Sequence, residues 1–199
     1  MKPSDTIPNI KPNIPFIRKK MKECISDDDL RYYFGNEVDK YIIKYSDLQN
    51  YHLIEQLLPK KKDFKIILLE DKFNSGHWVL LMRKRKNIEF FNSYGSKPSA
   101  ELDLLIPAQK EFLGENIKWL NILLTKALKK FNIYYNTFKF QADGDNVNTY
   151  GRHMIFRLIM FLNFNLNLKQ YIRYVKLLCN HFKLNLDELV SMLVNENIK

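Results

Sequence analysis

The amino-acid sequence predicts an α+β fold, with a central mixed β-sheet flanked by helices. Short apolar runs that suit buried strands lie between residues 64 and 91, in the middle of the chain. Stretches in which apolar residues recur at helical spacing lie on both sides of this region. The composition is that of a globular protein, because 46% of the residues are hydrophobic and 27% are charged.

The first predicted elements lie in the N-terminal part. The first 20 residues include four prolines. Proline lacks the N–H group that helices and sheets use, so residues 1–20 are expected to form an extended arm. The remainder, 21–199, is expected to be a single domain. A serine cap followed by three aspartates predicts a helix over 26–35. A second cap predicts a helix over 46–58, which stops before a proline.

The middle of the chain is strand-like, and the C-terminal part is mostly helical. Apolar runs predict strands over 64–69, 77–82 and 88–91, and the basic residues 83–86 predict a hairpin tip. The later predicted elements are a helix over 117–131, a strand over 132–140, a helix that begins after Asn148 or Thr149, and helices over about 168–181 and 184–196. The helix after Thr149 is apolar nearly all round, which predicts a central, buried element.

The charge balance is strongly basic. Lys and Arg number 32 against 22 Asp and Glu, which gives a net charge of +10. Such a surface attracts polyanions, and DNA bound through non-specific electrostatics is one candidate partner. The candidate contacts are Arg83, Lys84, Arg85 and Lys86. The alternative is a charge that serves solubility alone.

Several classes of protein are not expected from this sequence. The four histidines and two cysteines show no metal-ligand or disulfide spacing, so neither a metal nor a cofactor is expected, and a reducing compartment is favoured. The N-terminus has no signal-peptide pattern, so secretion is not expected. The longest apolar stretch, 154–164, is shorter than the roughly 20 residues of a membrane span, so no membrane partner is expected. A monomer is expected.

Four polar positions form the candidate site. His77 begins a predicted strand and could act as a general base. Asn92 ends the next strand and could accept a hydrogen bond from the imidazole, which would fix its tautomer and orientation. Gln141 could donate to an oxyanion, and Tyr150 opens a helix where a thiol hydrolase would carry its thiolate. Taken singly, these residues also fit an exposed histidine, a turn asparagine and a strand-closing glutamine.

Four segments carry a resemblance to a known family. They are Gly-His-Trp at 76–78, Phe-Asn-Ser-Tyr-Gly at 91–95, Gln141, and Asn-Thr-Tyr-Gly-Arg-His at 148–153. In order and spacing they resemble the adenovirus-protease and SUMO-protease group of cysteine endopeptidases. The likeness is strongest to the capsid-maturation proteases of adenovirus-like viruses, large DNA viruses, their satellite viruses and related transposons, and it covers roughly residues 26–165. It implies a papain-like, adenain-like cysteine protease fold.

Tyr150 departs from the pattern of that family. The turn that opens the helix carries a cysteine there, which attacks as a thiolate. A phenol has a pKa of about 10, and its oxygen lies farther from Cβ than a sulfur would. Tyrosine nucleophiles occur in other enzyme classes, but this interpretation is the least favoured here. Two interpretations stay open: an inactivated variant of a cysteine protease, or a pseudoenzyme that kept the fold.

The resemblance implies a viral maturation cysteine endopeptidase that cleaves capsid or structural precursor proteins and is inactive as written. It places the protein in the virion and in the host cytoplasm or nucleus. It assigns substrate binding to Trp78 and Gly151, while Arg152 and His153 are expected to anchor the turn. The alternative is a catalytically dead binding module that docks a capsid protein, a ubiquitin-like protein or nucleic acid.

Overall fold

The chain divides into two compact units. The computed structural model describes residues 10–72, 74–144 and 147–195. The first unit, called the sheet unit, runs from Asn36 to Lys139. The second, called the helical unit, comprises the described residues up to Gly35 and from Phe140 onward. The predicted class, an α+β chain with a mixed sheet and flanking helices, is confirmed. The single domain expected over 21–199 stays a prediction.

The sheet has five strands, which lie side by side in their order along the chain. They are β1 (Ile42–Lys44), β2 (Lys62–Lys72), β3 (Ser75–Lys84), β4 (Asn87–Phe91) and β5 (Asn132–Tyr135). The outer pairs, β1–β2 and β4–β5, are parallel. The inner pairs, β2–β3 and β3–β4, are antiparallel. The sheet is therefore mixed, as predicted.

The strands predicted from apolar runs are present, but their bounds differ. β2 and β3 extend past those runs because ladder hydrogen bonds use backbone groups and continue through the charged ends. β5 ends at Tyr135, well short of residue 140. The side chain of Asn136 binds the backbone carbonyls of Asn92 and Phe138 instead, at 2.6 and 3.0 Å. β1 has no predicted counterpart. It is only three residues long, and all three are partly buried, so no alternating pattern marks it.

The described part of the sheet unit includes three α-helices. They are α3 (Ile54–Leu57), α4 (Pro107–Leu113) and α5 (Trp119–Ala127). The helix predicted over 46–58 is wrong as one element, because a 3-10 helix over Tyr45–Asn50 precedes α3. The side chain of Gln56 accepts hydrogen bonds from the backbone N–H groups of His52 and Leu53, which starts a new helix. α5 is shorter than predicted, and α4 has no predicted counterpart.

The core of the sheet unit covers one face of the sheet. Side chains alternate between the two faces of a strand. Alternate residues of three strands enter this core, namely Ile67, Leu69, Val79, Leu81, Ile88 and Phe90. Leu57 of α3 and Leu120, Leu123 and Leu124 of α5 pack in the same cluster. By this alternation His77 belongs to the row of Val79, and Asn92 continues the row of Phe90.

The described elements of the helical unit are α-helices. They are α1 (Ile14–Lys20), α2 (Asp27–Phe34), α6 (Tyr150–Phe164), α7 (Leu168–Phe182) and α8 (Leu186–Leu193). The last four correspond to predicted helices. Ten of the fifteen residues of α6 are buried, so the prediction of a buried helix is confirmed. Within the described ranges, no helix has the length and apolar character that crossing a membrane requires.

The prediction of an extended N-terminal arm is wrong for residues 14–20. Residues 14–20 form α1. Pro15 lies in the first turn, where a helix does not use the backbone N–H. The side chain of Asn13 caps this turn by accepting a hydrogen bond from the backbone N–H of Phe16, at 3.2 Å. The first nine residues of the predicted arm lie outside the described residues.

Candidate active site

Close packing of the backbone at Gly76 positions the next residue, His77, the first residue of the candidate site. His77 lies in β3 directly opposite Leu69 of β2. The preceding Gly76 packs so closely on β2 that a Cβ atom there would lie 1.9 Å from the carbonyl oxygen of Leu69. No other residue fits without moving the strands apart. The glycine therefore fixes the path of the chain into His77.

The structure brings His77 and Asn92 together. The Nε2 atom of His77 lies 2.9 Å from the Oδ1 atom of Asn92. An amide oxygen only accepts, so the imidazole carries its proton on Nε2 in this contact, and Nδ1 is the basic nitrogen of the neutral ring. The imidazole also stacks on Tyr94, with ring centroids 4.8 Å apart and an angle of 28° between the planes. These contacts define both the tautomer and the tilt of the ring.

Asn92 is held at its backbone and at both ends of its amide. Its backbone N–H donates to Oδ1 of Asn136 at 2.9 Å, and its carbonyl accepts from Nδ2 of Asn136 at 2.6 Å. Its Oδ1 also accepts from the backbone N–H of Tyr94 at 3.0 Å. Its Nδ2 donates to Oε1 of Glu101. Asn92 is fully buried, so this network satisfies a polar group that water cannot reach.

The surroundings of His77 favour the neutral imidazole. Burial lowers the pKa of His77 below its ordinary value, because the charged form loses hydration. The hydrogen bond to Asn92 and the negative charge of Glu101 act in the opposite direction and partly offset this effect. A neutral ring with a fixed tautomer is the form that can accept a proton at neutral pH.

Tyr150 is the first residue of α6, in the helical unit. The preceding Thr149 occupies the capping position, but its side chain makes no capping hydrogen bond. Its hydroxyl donates instead to the carboxylate of Asp187. The N-terminus of a helix carries a partial positive charge, which stabilises an anion. A cysteine at this position would therefore have a lowered pKa.

Gln141 lies in the loop that precedes α6. It is 1% exposed, and its Nε2 donates to the backbone carbonyl of Val147 at 2.8 Å. The predicted oxyanion role requires the same amide to donate to a substrate. The structure shows one of its N–H groups bound within the chain. The oxyanion role of Gln141 stays a prediction.

Asp187 organises the start of α6. Its Oδ2 accepts from the backbone N–H of Ala142 at 3.0 Å. Its Oδ1 accepts from Nε2 of the buried His153 at 3.0 Å and from the hydroxyl of Thr149. Burial alone would raise the pKa of Asp187, but the hydrogen bonds from His153, Thr149 and Ala142 hold it below the ordinary value. His153 thus acts as an anchor of the turn, in agreement with the structural role expected for it.

The two positions assigned to substrate binding are both enclosed. Trp78 is 6% exposed, on the opposite face of β3 from His77. A Cβ atom at Gly151 would lie 2.5 Å from Cβ of Ile25, so packing against Ile25 already requires a glycine there. The substrate-binding roles of Trp78 and Gly151 stay predictions. Arg152 is also buried, and its guanidinium donates to the backbone carbonyl of Glu23.

Three of the four predicted nucleic-acid residues line one concavity. Arg85 and Lys86 form the predicted hairpin tip between β3 and β4, and Arg85 has a φ of 56°. Both line an open concavity of about 1030 Å³, together with Lys61, Arg83, Lys129, Lys130 and Phe131. Lys84 does not line it, because it follows Arg83 in β3 and points to the opposite face of the sheet.

The sequence interpretation missed two residues of the site. Glu101, in a 3-10 helix over Glu101–Leu104, binds the amide of Asn92. Asn136, just after β5, binds the backbone of Asn92. Neither lies in a motif or on a periodic face, so their sequence neighbourhood offers no signal. Among the described residues, no group of three or more His, Cys, Asp or Glu could hold a metal ion.

The mixed sheet and the oriented imidazole define an α+β protein with a histidine–asparagine dyad at the end of its central strands. The chain is 33% identical over 173 residues to the uncharacterized protein V9 of the Sputnik virophage, a match that covers 86% of this chain and 94% of V9. The chain therefore belongs to the family of V9. No family model matches it.

Two solved structures are also similar to this chain. They are those of the SUMO protease Ulp1 with its catalytic cysteine oxidised to a sulfinic acid and to a sulfonic acid. Each has 15% sequence identity and a TM-score of 0.33, and the comparison covers 94% of this chain and 78% of that chain. This TM-score is too low for the likeness to carry an assignment of fold or activity.

Proposed function

We propose that the chain is a cysteine-endopeptidase-type domain that acts on viral capsid or structural precursor proteins, and that Tyr150 leaves it unable to cleave them. The observation that carries the proposal is the 2.9 Å contact between Nε2 of His77 and Oδ1 of Asn92. This contact is the base-orienting half of a Cys-His-Asn arrangement. Membership of a virophage protein family supports the viral setting.

The chemistry of the proposal needs a thiol. In a thiol protease the imidazole takes the proton of the cysteine, and the thiolate attacks the peptide carbonyl. A tyrosine hydroxyl has a pKa of about 10 and gives up its proton far less readily than a thiol. The proposal therefore assigns the base to His77, its orientation to Asn92 and the missing nucleophile to position 150. As written, the chain is expected to bind a substrate segment without turning it over.

The test is the substitution Tyr150→Cys in a Cys24→Ala background. Cys24 is exposed and would react with any thiol reagent, so it is removed. Cys179 can stay, because burial raises the pKa of its thiol to about 11. We expect iodoacetamide to alkylate the thiol introduced at position 150 rapidly near neutral pH. We also expect this chain to hydrolyse a peptide library, and alkylation should block the hydrolysis.

Two control variants accompany this test. His77→Gln in the Tyr150→Cys chain should slow alkylation and abolish hydrolysis, because the base is lost. His52→Gln, at a position outside the candidate site, should leave both rates unchanged. If the unsubstituted chain hydrolyses peptides as fast as the Tyr150→Cys chain, the proposal is wrong. If the introduced thiol reacts no faster than an exposed free cysteine, the thiolate chemistry is refuted and the alternative of a binding module is favoured.

We also propose a second activity, weak and sequence-independent binding of nucleic acid. The observation that favours it is the open concavity described above, which is lined by six basic side chains and Phe131. The guanidinium of Arg83 lies 4.8 Å from the centre of this ring and donates to the carbonyl of Leu58 at 2.6 Å. Arg83 thus shapes the wall of the concavity, while the exposed Arg85 and Lys86 supply charge to a phosphate backbone.

Fluorescence binding to single- and double-stranded DNA across a salt series tests this second proposal. Arg85→Gln with Lys86→Gln should weaken binding and lower the salt slope by about 2, because each phosphate contact contributes about 1. Lys97→Gln with Lys169→Gln removes the same charge from exposed positions elsewhere and should change the slope little. Equal effects of the two double variants would show that net charge, and not the concavity, attracts the DNA.

A further inference from the structure

We infer that Glu101 is a positioning residue for the imidazole of His77 and acts on it through the side-chain amide of Asn92. The inference rests on the proposed function, because it describes how the base of that site is oriented. Three side chains form the chain of contacts: the carboxylate of Glu101, the amide of Asn92 and the ring of His77. All three belong to the sheet unit.

The carboxylate decides which way the amide of Asn92 faces. An ionised carboxylate can only accept hydrogen bonds, so the end of the amide that faces Glu101 must be the NH₂ group. The oxygen of the amide then faces His77 and the backbone N–H of Tyr94, and both of these are donors. A flipped amide would set its NH₂ group against two donors and its oxygen against a carboxylate. Glu101 therefore fixes the acceptor that His77 meets.

Hydrogen bonds hold the backbone of Asn92 in place, so only the torsions of its side chain can still change. Asn136 binds both its N–H and its carbonyl, and the N–H of Gly95 donates to the same carbonyl at 3.0 Å. A residue whose backbone is fixed on both sides can still rotate its amide about the side-chain bonds. The hydrogen bonds to Glu101 and from the N–H of Tyr94 remove that rotation. The backbone clamp and the carboxylate together hold the amide in one orientation.

Glu101 is itself well anchored. It opens the 3-10 helix Glu101–Leu104, and the next residue, Leu102, is 2% exposed within the core of the sheet unit. Just before this helix, the hydroxyls of Ser99 and Tyr45 lie 2.7 Å apart, and both residues are buried. The Oε2 atom of Glu101 is buried and has no hydrogen-bond partner among the described residues. The negative charge of this carboxylate acts on His77.

The charge gives the contact chain a function beyond orientation. When the imidazole takes up a proton, the positive ring is stabilised by a carboxylate one residue farther away. An aspartate in direct contact with the histidine would do the same at shorter range, as in triads that contain an acid. Here the direct partner of His77 is the neutral Asn92, and the carboxylate of Glu101 binds the other end of the Asn92 amide. The arrangement keeps the ring neutral at rest and still favours the imidazolium that forms during proton transfer.

The test uses the full chain with Tyr150 in place, so it does not depend on catalysis. The pKa and tautomer of His77 are read from ¹⁵N-histidine NMR spectra during a pH titration, with His77→Gln identifying its signals. Glu101→Gln keeps an oxygen that can accept from Asn92 but removes the charge. We expect a lower pKa of His77 in this variant, because the charge of Glu101 raises it. The proton should remain on Nε2.

Glu101→Ala removes the hydrogen bond as well as the charge. In this variant we expect a lower pKa and, in addition, a partial mixture of the two imidazole tautomers, since among the contacts described above only the N–H of Tyr94 then opposes a flip of the Asn92 amide. Glu111→Gln, which removes an exposed carboxylate on α4, is the matched control and should leave the His77 signals as they are. If His77 titrates in Glu101→Gln as it does in the unsubstituted chain, the inference is wrong.

A second readout separates this inference from the proposed function. In the Tyr150→Cys chain, Glu101→Gln should lower kcat roughly ten-fold or more with little change in KM, because the charge of Glu101 acts on the proton transfer and not on substrate binding. A Tyr150→Cys chain without activity, combined with the expected NMR changes, would refute the proposed function and leave the role of Glu101 intact. If His77 titrates in Glu101→Gln as in the unsubstituted chain while the Tyr150→Cys chain is active, the role of Glu101 is refuted and the proposed function is supported.

Discussion

Glu115 should make the stability of the protein fall as the pH rises from about 4.5 to about 7. Its side chain is 1% exposed, and its Oε1 accepts from the backbone N–H of Glu70 at 2.9 Å. Its Oε2 is buried without a hydrogen-bond partner among the described residues. Burial raises the pKa of Glu115 from 4.5 to about 7, and the negative charges of Glu70 and Asp71 add to this, although the hydrogen bond from the backbone of Glu70 opposes it. The folded protein thus holds a proton that the unfolded chain releases.

The sign and size of the effect follow from this difference in pKa. A raised pKa favours the folded state below the pKa of the unfolded chain, and this advantage is lost as the pH rises through the folded pKa. Each unit of difference corresponds to about 1.4 kcal/mol, so the increase from 4.5 to about 7 amounts to about 3 kcal/mol. The loss begins above about pH 4.5 and is complete above about pH 7.

Glu115→Gln measures this contribution. The amide oxygen can still accept from the N–H of Glu70, but the side chain no longer titrates. We expect the free energy of unfolding in urea to be nearly equal for the two proteins near pH 4 and to favour Glu115→Gln by up to about 3 kcal/mol near pH 8. Glu111→Gln, at an exposed position nearby, should show no such trend. A difference between Glu115→Gln and the unsubstituted protein that does not change with pH would refute the reasoning.

Two further predictions concern the backbone before His77 and the start of α6. Gly76→Ala should destabilise the fold by more than about 3 kcal/mol in urea, because the added Cβ meets the backbone oxygen of Leu69 and not a movable side chain. The control Gly35→Ala, where only the backbone conformation (φ 77°, ψ 167°) opposes the substitution, should cost about 1–3 kcal/mol, and a cost equal to that of Gly76→Ala would contradict the packing argument. Asp187→Asn should cost about 3 kcal/mol at neutral pH, because an amide cannot accept from all three donors. The difference in the free energy of unfolding between Asp187→Asn and the unsubstituted protein should shrink as the pH falls through the lowered pKa of Asp187. A difference that does not change with pH would contradict the role given to the Asp187 carboxylate.

The pairing of His77 with Asn92 could be predicted from sequence because strand register places the two residues. Apolar runs locate β3 and β4, and the basic tip between them predicts an antiparallel hairpin. The last observed pair of this hairpin is Leu80 with Phe91. Continuing that register sets Asn92 beside Val79, on the same face as His77, since side chains alternate along a strand. Local pattern and hairpin geometry are sufficient for this part of the site.

Glu101 and Asn136 could not be predicted in the same way. Each reaches Asn92 through the path of a connecting segment, and that path depends on the packing of the whole unit. Glu101 follows a stretch that begins with the buried Ser99, whose φ of 62° no local pattern requires. The same limit explains the missed α4, which is capped by Gly114 and leaves Phe112 77% exposed, so its sequence lacks a regular apolar face.

The hydrogen bonds that orient Asn92 lie entirely within the sheet unit, whereas position 150 belongs to the helical unit. The network of Asn92, Asn136 and Glu101 is therefore complete without reference to the residue at position 150. A buried polar network of this kind stabilises a fold no better than apolar residues of the same shape would, because desolvation offsets most of its gain. What it adds is a defined orientation of one imidazole. Since a binding module has no need of an oriented base, the network favours the proposed origin in catalysis. On that proposal, Tyr150→Cys should supply the missing thiol, and position 150 lies outside the unit that positions His77.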